Sequence, residues 1–329
     1  MSTADAPVPV EVGYWLSSEE HGPRALVEQA RMAEGHGFAH AMVSDHVHPW
    51  VPAQGHAPFV WGVLGAIGEA TDRLHLATGV TAPLARMHPV VVAQAAATAA
   101  VLLDGRFALG LGTGERLNEH VVGGPWPRPA VRRRRLEQAI DVIRRLLDGD
   151  EVSLEADWCT VEHAQLYSRP VTPPELWVAA SGPRTAKVAG RAADGLIGLT
   201  PDPGLVSAFE TAGGAGRPAV AQLHICWAAT SEEARATALR WWPNGGMPAS
   251  VLSELARPSE LEQVAALVTE DDVAPTVLCG PDPEAAARSV LRFGAAGFQR
   301  VYVHQVGPNQ AGFLDWWVDS VRPLLPATA

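Results

Sequence analysis

The chain has 329 residues, 47% of them hydrophobic and 19% charged, with a formal net charge of −11 and an isoelectric point near 5.5. That much apolar material fills a large core, while the acidic balance argues against attraction to a phosphate backbone and so against nucleic-acid binding. No apolar run reaches the roughly 18 residues a membrane-spanning helix needs, and the longest apolar stretch, residues 89–103, is interrupted by Gln94 and Thr98.

Three cysteines, Cys159, Cys226 and Cys279, are widely spaced and form no CxxC pair. They predict neither a disulfide framework nor a zinc site, and they fit a reducing cytoplasm. The first ten residues lack a charged segment followed by an apolar one, so no secretory signal is expected.

In chain order, residues 10–16 read as a strand and 23–37 as a helix, with apolar spacing at Ala25, Leu26, Ala30, Met32 and Ala33. A second strand ends at Asp45, a loop rich in Pro, Gly and His follows over 51–58, and 60–71 is helical. Residues 74–81 predict a third strand, 88–103 its helix, 107–114 a fourth strand and 131–147 a basic amphipathic helix. The rhythm breaks over 149–174, where 152–155 and 158–161 suggest a hairpin. It resumes with strand 176–180, helix 183–193, strand 195–200, strand 219–229 and helix 231–242. Residues 245–273 are irregular around a helix at 259–268; helix 282–294, strand 300–304 and a closing helix at 311–324 complete the chain. Eight core strands alternating with helices predict an α/β fold of the (β/α)8 TIM-barrel type rather than a doubly wound sheet. A single domain over residues 1–329 is expected, with insertions around 149–174 and 243–275.

The stretch VSDHVHPW at 43–50 places Asp45, His46, His48 and Trp50 directly after a buried strand, where a barrel builds its active site. The same residues also suit a turn cap, satisfied histidines and a core tryptophan. The run GLGTGE at 110–115 is neither a dinucleotide fingerprint nor a phosphate loop of the Gly-Lys-Ser/Thr type. Its glycines could let the strand pack closely, or let a flat ring or a phosphate approach the backbone near Thr113, Glu115 and Asn118. Ser181, Gly182 and Pro183 join a strand to a helix start, either as an ordinary turn or as an anion site. Arg132, Arg133, Arg134 and Arg135 suit a solvated helix face or the neighbourhood of an anionic tail. His46, His48 and His56 with Asp45 have no tight ligand spacing, so no metal is expected.

Taken together, VSDH with PW, HAPF at 56–59, TGV at 78–80, GTGE with LNE, ASGP at 180–183 and AGRAADG at 189–195 resemble the luciferase-like flavin and deazaflavin oxidoreductases. The nearest branch is that of coenzyme F420-dependent glucose-6-phosphate dehydrogenases, and the resemblance runs from about residue 10 to the final helix. It implies a TIM barrel that holds a deazaflavin at the carboxyl end of its strands and exchanges hydride with a substrate carbon. By this resemblance His46 is the proton-exchanging base, Asp45 positions the ring system, Trp50 shields developing charge and Glu115 exchanges a proton with the ring. Imidazole titrates near neutrality and suits the first of these roles. Gly79 and Val80 match a non-prolyl cis peptide behind the ring. Thr113, Gly114, Asn118, Ala180, Ser181 and Gly182 would hold the tail and its phosphate, with Glu19, Trp50, Asp202 and Leu252 lining the substrate pocket.

One departure is informative. The sugar-phosphate enzymes carry basic residues at three late positions, which fall here on Thr200, Pro201 and Asp202, near Leu252 and Ser253, and near Thr276. A carboxylate in place of a cation forfeits charge-assisted bonds to a phosphate. An uncharged substrate is therefore expected: an alcohol, a ketone or an unsaturated natural-product intermediate. An FMN-dependent monooxygenase on the same fold, and a non-catalytic barrel subunit, are the alternatives. A homodimer is expected by resemblance, with the apolar helices 60–71 and 89–103 as its interface.

Overall fold

The computed structural model describes residues 9–327, so residues 1–8 of the stretch read for a secretory signal, and the two extreme ends of the expected domain, lie outside them. Eleven strands are present among the described residues: β1 (Glu11–Leu16), β2 (His40–Val43), β3 (His75–Thr78), β4 (Phe107–Leu111), β5 (Val152–Glu155), β6 (Thr160–Ala164), β7 (Glu175–Ala179), β8 (Gly195–Gly198), β9 (Ala219–Cys226), β10 (Val277–Cys279) and β11 (Arg300–Gln305). Between them run helices α1 (Pro23–Gly35), α2 (Val60–Ala70), α3 (Pro89–Leu102), α4 (Arg116–Glu119), α5 (Pro129–Asp148), α6 (Pro183–Ala192), α7 (Pro203–Phe209) and α8 (Ser231–Trp241). The last five are α9 (Ala249–Glu254), α10 (Pro258–Ala265), α11 (Glu270–Val273), α12 (Pro283–Ala295) and α13 (Gln310–Trp316).

Eight strands pair in the order β1–β2–β3–β4–β7–β8–β9–β11, and β11 returns to β1 in parallel through Glu11 opposite Arg300. The sheet is thus closed, as the alternation of strands and helices predicts for a (β/α)8 barrel. Its interior holds one side chain from each barrel strand in a single cluster: Trp15, Met42, Ala77, Ala108, Trp177, Ile197, Val220 and Tyr302. Large rings from β1, β7 and β11 thereby sit in one packed layer with the alanines of β3 and β4, as shape-filling of a barrel requires. The opposite faces of the strands and the inner faces of the helices form the main core, with Leu64, Ile67, Ala96 and Ile143 fully buried.

The expected hairpin is present as antiparallel β5 and β6, with β5 where the sequence puts it and β6 displaced toward the carboxyl end. Several elements depart from expectation. β10 extends β9 in register, Cys279 beside Cys226, yet its three residues are too few to show a period. α7 starts at Pro203, with the Asp202 carboxylate accepting from the Gly204 N–H at 2.8 Å; this Asp–Pro start is a readable signal that the strand-rich context hid. The stretch expected to be irregular carries α9 and α11 besides α10. Both are shorter than the window in which helical periodicity becomes visible.

Candidate active site

β1 and β2 end side by side, and the residues beyond them close the barrel mouth. Ser17, Ser18, Glu19 and Glu20 follow β1 and are all buried. The Ser18 N–H donates to Ser44 Oγ at 2.8 Å, stitching the two strand ends together. Ser44 Oγ donates to Glu19 Oε2 at 2.5 Å and Ser17 Oγ does so at 3.1 Å. That leaves the other oxygen, Glu19 Oε1, 3.3 Å from His46 Nε2.

On the far side of the same imidazole nitrogen lies Glu115 Oε2, at 3.5 Å. Glu115 precedes α4, caps nothing with its side chain, and retains 38% exposure there. Asn118 is the organiser of this side. Its Oδ1 accepts from the Val47 N–H at 3.0 Å, and its Nδ2 donates to Glu115 Oε2 at 3.2 Å. These partners fix the amide orientation. His46 Nδ1 lies 3.1 Å from both the His48 carbonyl and Asn118 Nδ2; its Nε2 faces the two carboxylates, which favour a proton on that nitrogen. The Trp50 ring stands 5.2 Å from that of His46.

The electrostatics follow from these contacts. Burial by itself pushes the Glu19 carboxyl up, but the His46 charge and the Ser44 hydroxyl outweigh it and hold Glu19 below the usual range. Burial disfavours a charged His46, yet Glu19 and then Glu115 overcome this and raise its pKa. Burial raises Glu115, helped by the Glu19 charge and opposed by His46 and Asn118. The cluster thus couples a raised imidazole and a raised carboxyl to one carboxylate held ionised.

Asp45 goes elsewhere. Its side chain is 0% exposed, with Oδ1 accepting from Arg86 Nη2 at 2.8 Å and Oδ2 from Thr81 Oγ1 at 2.7 Å. Arg86 also gives its backbone N–H to Glu119 Oε2 at 2.9 Å. Asp45 thus anchors the chain after β3, where the Gly79–Val80 bond is cis as the resemblance implies. The glycine run at the end of β4 serves close packing at two of its positions: a Cβ on Gly110 would lie 2.0 Å from the Thr78 carbonyl oxygen, and one on Gly112 2.6 Å from Val80. Gly114 has φ +75°, which a side chain rarely tolerates. Thr113 beside it is half-buried.

Ala180 is buried, Ser181 exposed, and Gly182 begins α6 with no side-chain cap and open space where a Cβ would stand. Leu252 is half-buried and packs on the apolar cluster containing Trp50 and Trp242. Asp202 is exposed and spent on capping α7. Among the described residues no group of three His, Cys, Asp or Glu side chains is spaced to hold a metal, and no helix is long and apolar enough to cross a membrane. Sequence reasoning missed Arg86, Glu119, Glu20, His224 and His304. Arg86, Glu20, His224 and His304 carry no local motif, and Glu119, although part of the LNE stretch, was assigned no role.

A planar cofactor with an anionic tail fits the residues present. Leu199, on the inward register of Ile197, is 57% exposed at the end of β8. Val80 and Ala179 are partly buried over the same interior layer. Together they leave an apolar floor for a flat ring, while the uncapped N–H groups at the start of α6 suit an anion.

A parallel eight-stranded barrel with an imidazole held between two carboxylates at the carboxyl ends of its strands is the layout of a (β/α)8 enzyme. The profile of the luciferase-like monooxygenase family matches residues 7–300, and the chain belongs to that family. It is 36% identical over 328 residues to an F420-dependent glucose-6-phosphate dehydrogenase of Kribbella flavida, covering 96% of this chain and 98% of the relative. Among solved structures, an F420-dependent secondary alcohol dehydrogenase with an F420-acetone adduct superposes with a TM-score of 0.89 at 27% identity, covering 97% of this chain and 100% of that one. An F420-dependent tetrahydromethanopterin reductase from Methanopyrus kandleri shares the fold, with a TM-score of 0.76 at 22% identity over 98% of this chain and 100% of its own.

Proposed function

We propose that this protein is a coenzyme F420-dependent oxidoreductase acting on a small, non-phosphorylated substrate: an alcohol or ketone, or an unsaturated natural-product intermediate. The observation that carries the reading is His46 Nε2 held 3.3 Å from Glu19 and 3.5 Å from Glu115 above an apolar floor. Relatives named for F420 at 36% identity over nearly the full chain support this cofactor over FMN.

When bound, the deazaflavin supplies the hydride chemistry at its C5. His46 Nε2 takes the proton of a substrate hydroxyl, or returns it in the reducing direction, and the buried Glu19 carboxylate stabilises the imidazolium that results. Glu115, raised by burial and by Glu19, exchanges a proton on the ring side. Trp50 walls the cleft beside His46 and excludes water. Asn118, Thr113 and Gly114 hold the ring side, and Ala180, Ser181 and Gly182 the tail. Asp45 acts through Thr81 and Arg86, which set the chain after β3.

The substrate reading rests on the three positions that are basic in the sugar-phosphate enzymes. Asp202 caps α7. Leu252 packs in the Trp50 cluster. Thr276 Oγ1 donates to the Gly245 carbonyl at 2.8 Å. None is a cation, and each is committed to the scaffold. The chain further reads as one barrel domain with insertions at 149–174 and 243–275, working in the cytoplasm. Phe59, Val91, Val101 and Leu102, exposed at and along α2 and α3, support a homodimer through those helices.

Titrating the purified apoprotein with F420 and with FMN, followed by turnover of secondary alcohols and of glucose-6-phosphate, tests the reading. Quenching by F420 and oxidation of alcohols alone are expected. Binding of FMN without F420, or preference for the sugar phosphate, overturns it.

A further inference from the structure

A second polar chain lies beside the first, and the mechanism above does not use it. Glu20, next to Glu19, turns the other way. Its Oε1 accepts from the Gly307 N–H at 2.8 Å and its Oε2 lies 2.6 Å from His304 Nε2, both side chains being essentially fully buried. His304 Nδ1 in turn lies 2.8 Å from Nδ1 of His224 on β9. The partners assign the protons. The Glu20 carboxylate only accepts, so His304 carries its hydrogen on Nε2 and the neutral ring accepts at Nδ1. His224 must then donate from its own Nδ1, which leaves the lone pair on its Nε2.

That nitrogen has no partner among the described residues, and the residue is half-buried rather than sealed in the core. His224 stands on the inward register of β9, four residues or two strand periods beyond Val220 of the barrel layer, so it projects into the mouth. The Trp242 ring packs 5.1 Å from His224 and 4.6 Å from His304. Trp242 belongs to the same apolar cluster as Trp50 and Leu252, so packed apolar side chains connect the surroundings of His224 with those of His46. A buried chain that ends in an open acceptor on a substrate-side wall has the form of a recognition element rather than a packing device.

We propose that His224 is a second substrate anchor, its Nε2 accepting a hydrogen bond from a hydroxyl other than the one that reacts at His46. The proposal rests on the functional reading above and narrows its substrate class to uncharged molecules bearing at least two hydroxyls, or a hydroxyl and a ketone. Burial above all holds His224 well below the ordinary imidazole range, so the ring stays neutral and offers nothing to a phosphate. Glu20 and His304 are positioning residues: they fix which nitrogen of His224 faces the cleft.

The test uses the full chain loaded with F420 and a six-carbon secondary alcohol, compared with its diols as the second hydroxyl is moved one carbon at a time. At one spacing the wild-type kcat/KM is expected to favour the diol by about tenfold or more, because a site built to bond a hydroxyl rejects the analogue lacking it. In His224→Phe the diol-to-alcohol ratio falls to about one, the loss appearing in KM, while the F420 dissociation constant is unchanged. His224→Gln, whose amide oxygen also accepts, restores part of the ratio. A ratio that survives in His224→Phe, or a wild type with no diol preference at any spacing, overturns the proposal. If the wild type turns over no alcohol or ketone, the functional reading has failed instead, and imidazole nitrogen resonances of the apoprotein decide this one separately. A proton on His224 Nδ1, with an Nε2 signal that moves on adding diol, supports it; a proton on Nε2, or no movement, overturns it.

Discussion

Asp45 and His46 are neighbours in the chain and leave β2 together, yet they enter opposite environments. Both Asp45 oxygens are consumed, by Arg86 and Thr81, and its side chain has no exposure. His46 keeps one nitrogen for the His48 carbonyl and turns the other toward two carboxylates, one of them partly open to solvent. The first arrangement holds a loop in place; the second exchanges protons. What separates them is access: titratable groups work as acids and bases only where burial leaves one atom unspent. Motif membership alone does not distinguish the two.

The sharpest way to break this contrast is to remove each member in turn. His46→Ala is expected to lower kcat/KM by about 10²–10⁴-fold through loss of the base, with F420 binding and the denaturation midpoint little changed. Asp45→Asn is expected to do the reverse in kind: about 3 kcal/mol of stability lost in urea unfolding, because Arg86 is left buried with its countercharge removed. If Asp45→Asn leaves the midpoint in place while His46→Ala lowers it, the two roles are exchanged.

A smaller effect sharpens the proton-exchanging side. Since Glu19 and Glu115 favour the charged imidazole, the rising limb of kcat/KM for alcohol oxidation should lie above the ordinary histidine value of 6.5. Glu19→Gln removes the larger of these two attractions, so the limb should move to lower pH. A limb that stays put or rises would assign the titration to another group. The smallest effect is expected from His48→Gln. His48 is half-buried, and among the described residues its ring bonds only the Leu117 carbonyl, at 3.1 Å. Rates within about twofold and stability within about 0.5 kcal/mol of wild type are expected.

Much of this was legible in the chain. Alternating strands and helices announced the barrel, and the SDH and GTGE stretches marked the two strand ends that meet at the site. The glycines were ambiguous in sequence for a physical reason. Room for a ligand and room for a neighbouring strand require the same missing Cβ, and only the 2.0 Å approach of Thr78 to Gly110 separates them. β10 was invisible because three residues show no period, and α7 because its Asp–Pro start lay among strand signals. Glu20, His224 and His304 were passed over singly, since no one of them carries a signature.

The sequence by itself determined the eight-fold rhythm, the apolar layers and the residue types at each strand end, because hydrophobic periodicity and turn chemistry are local properties. Tertiary closure decided which of those residues meet. His304 is separated from Glu20 by 284 positions and from His224 by 80, and Arg86 from Asp45 by 41. Strand pairing across the sheet, β11 with β1 and with β9 and β2 with β3, brings these groups within hydrogen-bonding reach, and only that packing settles which polar atoms are consumed and which remain free for a substrate.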